Sequence, residues 1–137
     1  MSADLIELLV AEHRRLESLF ADVETAPTPE RRRSALAAAL DALARYGAAE
    51  KRFLQPALRE CLPAGPEIAD YEQGEHESIA REAAECRDDA VPTALFDAVR
   101  LHMQEEETEL FPRLAQSCPP GRLHELGALL ESARVTE

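Results

Sequence analysis

Bulky aromatic residues and glycine are scarce in this sequence of 137 residues. There is no Trp, aromatic residues make up 4% of the chain, and only five residues are Gly. Alanine and leucine predominate, and β-branched residues seldom occur in runs, which is typical of helices and argues against sheets. The length fits one domain spanning residues 1–137, which is large enough to bury a hydrophobic core.

Basic residues are also scarce, since 15 Lys and Arg stand against 27 Asp and Glu and the formal net charge is −12. This argues against nucleic-acid and anionic-membrane partners, because both need a basic face. No apolar stretch is as long as a membrane span, and the N-terminal segment carries acids where a signal peptide would carry positive charge. These absences predict a cytoplasmic protein.

Paired cysteines are missing as well. Cys61, Cys86 and Cys118 are odd in number, widely spaced along the chain and without a CxxC pair. Neither a zinc knuckle nor a disulfide framework is indicated. We expect the three thiols to pack in the fold.

Prolines divide the chain into helices. Four long helices are predicted, with Ser2 as the N-cap of the first, over residues 3–23, 30–59, 67–87 and 93–115. A clear stop at residues 118–121 precedes a last, shorter helix. Because the connections are short, consecutive helices should lie antiparallel. The predicted fold is all-α: an up-down four-helix bundle with a short additional C-terminal helix.

Each long helix carries an apolar stripe at three-and-four spacing, and polar residues interrupt the stripes near mid-helix. A polar group in a core must be paired or bind a metal, because its unpaired burial is costly. In a bundle the interrupting residues would lie at similar height and form one core site. They are His13, Tyr46, Glu50, Glu72, His76, His102 and Glu106.

The two halves of the chain place these residues alike. His102 and Glu106 are one helical turn apart, and Tyr46 and Glu50 repeat that spacing. A proline follows each glutamate by six residues, and each half has one lone His preceded by Glu. This weak repeat predicts two similar half-sites about a pseudo-two-fold axis.

Two carboxylates from facing helices can bridge two cations while imidazoles fill outer positions. Mixed imidazole and carboxylate ligation suits iron or manganese, whereas zinc more often takes fewer ligands in a tetrahedral site. Bundle cores are where such centres are built. The pattern therefore predicts a metal centre, with iron or manganese left open.

These residues resemble the pattern of the haemerythrin-like, or HHE cation-binding, family. The family pattern is His, His-x-x-x-Glu, His, His-x-x-x-Glu over four helices, and the likeness covers roughly the whole chain up to Pro112. The resemblance implies two iron ions with an oxo or hydroxo bridge, bridging glutamates, terminal histidines and an open position for a small oxidant. The implied metal ligands are His13, Tyr46, Glu50, His76, His102 and Glu106.

Tyr46 is the departure, because the family usually has His at this position. In one interpretation its phenolate binds iron directly, favours the ferric state and makes reversible oxygen carriage doubtful. In the other, Tyr46 packs away from the metal and one iron is short of a ligand. Ligation is favoured because Tyr46 keeps the one-turn spacing to Glu50 and lies on the stripe.

The remaining polar and pocket residues are predicted to have simpler roles. Glu72 should lie near the bundle end and reach water, with an extra metal ligand as the alternative. Glu105, Glu107 and Glu109 should form a solvated face or support the ligands. Tyr71 lies off the stripe and is predicted to have no special role, and His124 is predicted to be exposed. Phe53 and Met103 are predicted to line the pocket.

Three functions of different classes follow. The leading hypothesis is a di-iron protein that disproportionates or reduces hydrogen peroxide, as a catalase-like or peroxidase-like oxidoreductase, or that reacts with nitric oxide. The alternative is an oxygen- or iron-binding or sensing module without turnover. The third is a metal-free structural or interaction bundle in which the polar residues of the stripes form hydrogen bonds and ion pairs with one another. In none of them is a nucleic acid or a membrane the partner.

Overall fold

The structure, a computed structural model, describes residues 3–136, and over these residues it is helical without strands. The all-α prediction is therefore confirmed. The elements are α1 (Leu5–Glu24), α2 (Pro29–Ala49), the π-helical segment π1 (Glu50–Leu54), α3 (Gln55–Cys61), α4 (Gly65–Ala84), α5 (Thr93–Glu105), the π-helical segment π2 (Glu106–Leu110), α6 (Phe111–Ser117) and α7 (Pro120–Thr136).

Four helical rods form the bundle, because α2, π1 and α3 run on without a break, as do α5, π2 and α6. The first rod, α1, packs along α2 and against α5, and α4 packs against α3 and α5. The last helix, α7, packs on α1 outside the four rods. The predicted bundle with an additional C-terminal helix is confirmed.

Side-chain caps set where the first two rods begin. Asp4 accepts the backbone N–H of Glu7 at 2.9 Å, and the Glu7 carboxylate accepts the N–H of Asp4 at 3.2 Å, which is a capping box. Thr28 caps α2, with Pro29 in the first turn. Ser2, the predicted cap of the first helix, lies outside the described residues, and α1 begins two positions later than predicted.

The corner between α3 and α4 explains why the third rod starts early. Ala64 adopts a left-handed conformation with φ 58°, and α4 begins at the next residue, Gly65. A Cβ at Gly65 would clash with the carbonyl oxygen of Leu58, so only glycine allows this close approach. The rod then ends at Ala84, three residues before the predicted end.

Both π-helical segments begin at a predicted metal ligand, a feature that the sequence analysis did not predict. The N–H of Gln55 donates to the carbonyl of Glu50, and the N–H of Phe111 donates to the carbonyl of Glu106. A proline follows directly after each wide turn. Proline lacks an N–H and would clash with the carbonyl four residues earlier in a regular α-helix, and the wider turn avoids this conflict.

The core follows the predicted stripe of α1, because all six positions at three-and-four spacing are buried: Leu5, Leu9, His13, Leu16, Phe20 and Val23. Phe20 of α1 stacks on Phe96 of α5 with ring centroids 4.1 Å apart. The stripe of α4 departs from the prediction, because Ile68, Ile79 and Ala83 are only partly buried. A cavity between α2, α4 and α5 leaves Ile79 and Ala83 partly uncovered, and Ile68 lines a separate cleft. No helix within residues 3–136 has both the length and the apolar character to cross a membrane.

Candidate metal centre

The six predicted ligands meet in the middle of the bundle, and every rod contributes to them. Five of the six are at most 3% exposed, and His76 is 12% exposed. Glu50 and Glu106 occupy the first positions of π1 and π2. The six residues are His13 from α1, Tyr46 from α2, Glu50 from π1, His76 from α4, His102 from α5 and Glu106 from π2.

Two carboxylates and a phenol form the centre of the cluster. The Tyr46 hydroxyl lies 2.9 Å from Glu50 Oε2 and within hydrogen-bond distance of Glu106 Oε1, so its one proton can be donated to either. Burial and the charges of Glu50 and Glu106 raise the pKa of Tyr46 well above its ordinary value. Without a cation, therefore, Tyr46 keeps its proton.

The pKa values of the two glutamates shift in opposite directions. Burial opposes ionisation of Glu50, but hydrogen bonds with Glu106, His102 and His76 outweigh it and lower the pKa of Glu50. Burial and the nearby charge of Glu50 raise the pKa of Glu106. The pair therefore favours one shared proton, because two close carboxylates disfavour double ionisation.

His13 lies on one side of the cluster, and its outer ring nitrogen is hydrogen-bonded to a carboxylate. Its Nε2 lies 2.7 Å from the Tyr46 hydroxyl and 3.0 Å from Glu106 Oε1. Its Nδ1 donates to Glu107 Oε2 at 2.7 Å, and Arg14 in turn binds the Glu107 carboxylate at 3.2 Å. A carboxylate behind one ring nitrogen directs the other nitrogen toward the centre.

His76 and His102 close the other side. His76 Nε2 lies 2.7 Å from Glu50 Oε1, and His102 Nε2 lies 3.4 Å from the same oxygen. His102 Nδ1 is 3.3 Å from Glu75 Oε1. Burial alone would lower the pKa of His102, but its hydrogen bonds with Glu106 and Glu50 raise it to about 12. In the metal-free protein, His102 is the cation that pairs with these carboxylates.

Glu72 was predicted to reach water, and this prediction is wrong. Its side chain is buried, and its Oε2 lies 3.8 Å from His102 Nδ1. It lies one turn before His76, and the close packing of α4 on α5 and α3 turns this face of the helix inward. Burial raises the pKa of Glu72 to about 7 despite the opposing charge of His102.

The donor atoms are close enough together to hold cations. Ligand atoms lie within 4.8 Å of one another in three overlapping groups: His13, Glu50 and Glu106; Glu50, His76 and His102; Glu72, His102 and Glu106. Glu106 Oε2 is buried without a hydrogen-bond partner among the described residues. Its ion-pair partner, His102 Nε2, is 3.5 Å away, beyond the usual length of a hydrogen bond. A buried carboxylate oxygen without a hydrogen bond is costly, and a metal ion would compensate it. The residues therefore fit a metal centre.

Two openings reach this cluster from different sides, and His102 lines both. The first, the acidic cleft, has a volume of about 310 Å³ and is lined by Glu72 and Glu106 as well as the more peripheral Glu67, Glu105, Glu109 and Arg113. The second, the apolar cavity, has a volume of about 360 Å³ between α2, α4 and α5. Tyr46 and His76 are also among its lining residues.

Other predicted residues lie away from the centre. His124 and Tyr71 are exposed, as are Glu105 and Glu109. Met103 is buried, and Phe53 lines a groove of about 870 Å³ that also touches Tyr46. Glu107 takes the second of its two predicted roles, because it supports His13, whereas the support of His102 by Glu75 was not predicted. Their signal was present, because each is next to a ligand in sequence, but neighbours on a helix point in different directions and only packing shows what they contact.

The fold and the donor set define a metal-binding protein of the helical-bundle class. The profile of the Hemerythrin HHE cation binding domain matches residues 4–114, which is well over half of the chain. The chain belongs to this family. In the same comparisons no curated protein and no solved structure matches it.

Proposed function

We propose that the protein is a non-haem di-iron protein that reacts with small oxidants, either hydrogen peroxide or nitric oxide. Its resident cofactor would be two iron ions with an oxo or hydroxo bridge, as the family membership suggests. The proposed ligands are His13, Tyr46, Glu50, His76, His102 and Glu106.

One observation carries this proposal: a phenol, two glutamates and three histidines are brought together in the core of the bundle. Oxygen and imidazole donors in this combination suit iron. Glu50, Glu106 and His102 each belong to two of the overlapping donor groups. Of these, the two carboxylates have two donor oxygens each, which supports Glu50 and Glu106 as the bridging ligands between two positions. Five of the donors are nearly inaccessible to water, so a bound ion would be shielded from bulk solvent.

Tyr46 is the reason for preferring oxidant chemistry to oxygen carriage. Its hydroxyl lies among His13 Nε2 and the two glutamates, which supports direct ligation over packing away. A phenolate is a hard anionic donor that stabilises ferric more than ferrous iron. Reversible oxygen carriage needs a stable di-ferrous form, so this donor opposes it.

When bound, iron would supply the electron transfer. The protein supplies position and shielding. Glu107 and Glu75 hold His13 and His102 by their Nδ1 atoms, so that their Nε2 atoms face the glutamates. The Tyr46 proton must leave when the phenolate binds a cation, and Glu50 and Glu106 are its hydrogen-bonded acceptors.

The first test is metal content and turnover. The full chain is reconstituted with ferrous iron in air, desalted and assayed for iron and for oxygen release from hydrogen peroxide. We expect two irons per chain and turnover well above that of an equal amount of free iron. A chain with two irons that shows no such turnover and no reaction with nitric oxide would instead be a binding or sensing module. A chain that takes up no iron overturns the whole proposal.

The second test addresses Tyr46. A phenolate bound to ferric iron should give a visible charge-transfer absorption band, and Tyr46→Phe should abolish it. Tyr71→Phe is the matched control, because Tyr71 is an exposed tyrosine that is not among the proposed ligands. If the band is missing from the iron-loaded wild type, or survives in Tyr46→Phe, Tyr46 is not a ligand.

A further inference from the structure

The apolar cavity is a feature that the proposed ligand set leaves without a role. Its walls come from three helices: Leu40 and Leu43 of α2, Ile79 and Ala83 of α4, and Val99 of α5. At about 360 Å³ it falls within the range of about 300–1,000 Å³ that is usual for small-molecule pockets. An engineered cavity of only about 150 Å³ is known to hold benzene, so the size suits a molecule with one ring.

One histidine gives this cavity a polar group in its lining. His76 lines it, and its Nδ1 has no hydrogen-bond partner within residues 3–136. The Nδ1 atoms of His13 and His102 are occupied by Glu107 and Glu75. His76 is therefore the one histidine of the cluster, among the described residues, with a ring nitrogen left for a hydroxyl group.

The surroundings favour an uncharged molecule here. The acidic cleft on the other side of His102 gathers five glutamates against one arginine, which suits cations and repels anions. The apolar cavity has Lys51 and Glu77 in its lining, together with His102, which would be neutral as an iron ligand. An ion in this cavity would lose its hydration without a fixed partner of opposite charge in the apolar wall, which is unfavourable.

We propose that the apolar cavity binds a small uncharged organic molecule made of one ring and one hydroxyl group, such as a simple phenol. The ring packs against Leu43, Ile79 and Val99, and the hydroxyl bonds to His76 Nδ1. The molecule then lies beside Tyr46, His76 and His102. The inference deepens the proposed function, on which it rests, by naming the class of organic ligand held at the same centre.

Glycine positions give a matched pair of variants for the test. Gly47 lines the cavity and Gly74 does not, and a Cβ at either would meet nothing within 4 Å. Both lie inside helices without positive φ, so leucine is tolerated at each. Gly47→Leu should fill the cavity and Gly74→Leu should leave it open. Ala83→Phe fills the cavity from α4, more than one turn from His76.

Binding is measured by calorimetric titration of the iron-loaded full chain with phenol, toluene and benzoate. Phenol should bind the wild type and Gly74→Leu equally, and at least tenfold more weakly to Gly47→Leu and Ala83→Phe. Toluene should bind several-fold more weakly than phenol, because it lacks the hydroxyl. Benzoate should show no binding, because its charge would be buried unpaired.

Three results would overturn the inference: no phenol binding by the wild type, unchanged binding by both filled variants, or an equal loss in Gly74→Leu. Iron content is measured on the same samples. A wild type that binds phenol with this variant pattern but holds no iron refutes the proposed function alone. A wild type that holds two irons but binds no phenol refutes the cavity assignment alone.

Discussion

Glu107 shows how a residue outside the ligand set can control a ligand. Its carboxylate accepts the Nδ1 proton of His13 at 2.7 Å and is itself held by Arg14. The contact with His13 contributes to lowering the pKa of Glu107, although burial opposes it. The imidazole of His13 is thereby kept in one tautomer, with Nε2 toward Glu106.

Glu107→Gln should weaken iron binding by about 10–100-fold, because an amide holds the His13 proton less strongly than a carboxylate. The measurement is a competition titration with a chelator of known affinity. Glu109→Gln, in the same π-helical segment but exposed, is the control and should bind iron like the wild type. Equal affinities for all three proteins would contradict the positioning role of Glu107.

Glu72 should give the metal-free protein a distinct pH dependence. Burial raises its pKa from 4.5 to about 7 in the folded chain. Since the folded-state pKa is raised, the contribution of Glu72 to stability is fully present below about pH 4.5 and is lost as the pH rises through about 7. This contribution is on the order of 3 kcal/mol.

Urea unfolding of chelator-treated wild type and Glu72→Gln across this pH range measures the effect. The free energy of unfolding of the wild type should fall relative to that of the variant as the pH rises, because glutamine does not ionise. Parallel curves for the two proteins would mean that the Glu72 carboxyl is not buried in the metal-free fold.

At the scale of elements, the π-helical segments align the two halves of the site. Each adds one residue to the turn that begins at Glu50 or Glu106, the proposed bridging ligands, and ends before a proline. Such wide turns commonly occur at functional sites. The rods therefore continue past the site to α3 and α6, which pack on one another and close the end of the bundle.

Arg100 connects α5 to α1 near the opposite end. Its guanidinium binds Glu17 at 2.8 Å and Glu24 at 2.9 Å, and it lies over the ring of Phe20. Hydrogen bonds from Arg100 lower the pKa of Glu24. A forked arginine shared by two carboxylates is worth more than an isolated surface pair.

Arg100→Gln should lower the free energy of unfolding by about 1–2 kcal/mol, because two inter-helix contacts are lost. Arg45→Gln is the control, since Arg45 bonds only Asp41 one turn away on an exposed face. That variant should lose less than about 0.5 kcal/mol. Chemical denaturation measures the free energy of unfolding of both variants. Equal losses would show that the contact between α1 and α5 stabilises the fold no more than the exposed pair within α2.

At the scale of the whole molecule, metal and fold should be coupled. The proposed ligands come from all four rods, so an ion held by them would tie the rods together. Binding only to the folded chain stabilises it by about 2.7 kcal/mol when the free ion is at about 100 times its Kd. Iron loading should therefore raise Tm, and a chelator should reverse the rise.

The double variant Glu50→Gln, Glu106→Gln is the reference for this coupling. It removes the pair of close carboxylates, so its metal-free form should be at least as stable as the metal-free wild type. Iron should leave its Tm unchanged. A similar iron-induced rise of Tm in the wild type and the double variant would mean that the ion binds elsewhere on this acidic chain.

Much of the architecture could be predicted because it depends on local patterns. The three-and-four stripes and the prolines predicted the helices, and α1 is buried at each of its six predicted positions. The boundaries near Asp4 and Gly65 were missed because they depend on caps and on close approach at a corner. The single domain over residues 1–137 stays a prediction, since the family match ends at residue 114.

The sequence by itself determined the family, the helical class and the six candidate ligands, because ligand spacing along a helix is set by its 3.6-residue turn. Only the tertiary structure decided what surrounds those ligands. It buried Glu72, set Glu107 behind His13, and opened an apolar cavity beside His76. These contacts join residues far apart in the chain, and their geometry depends on how the rods pack, which no local pattern encodes.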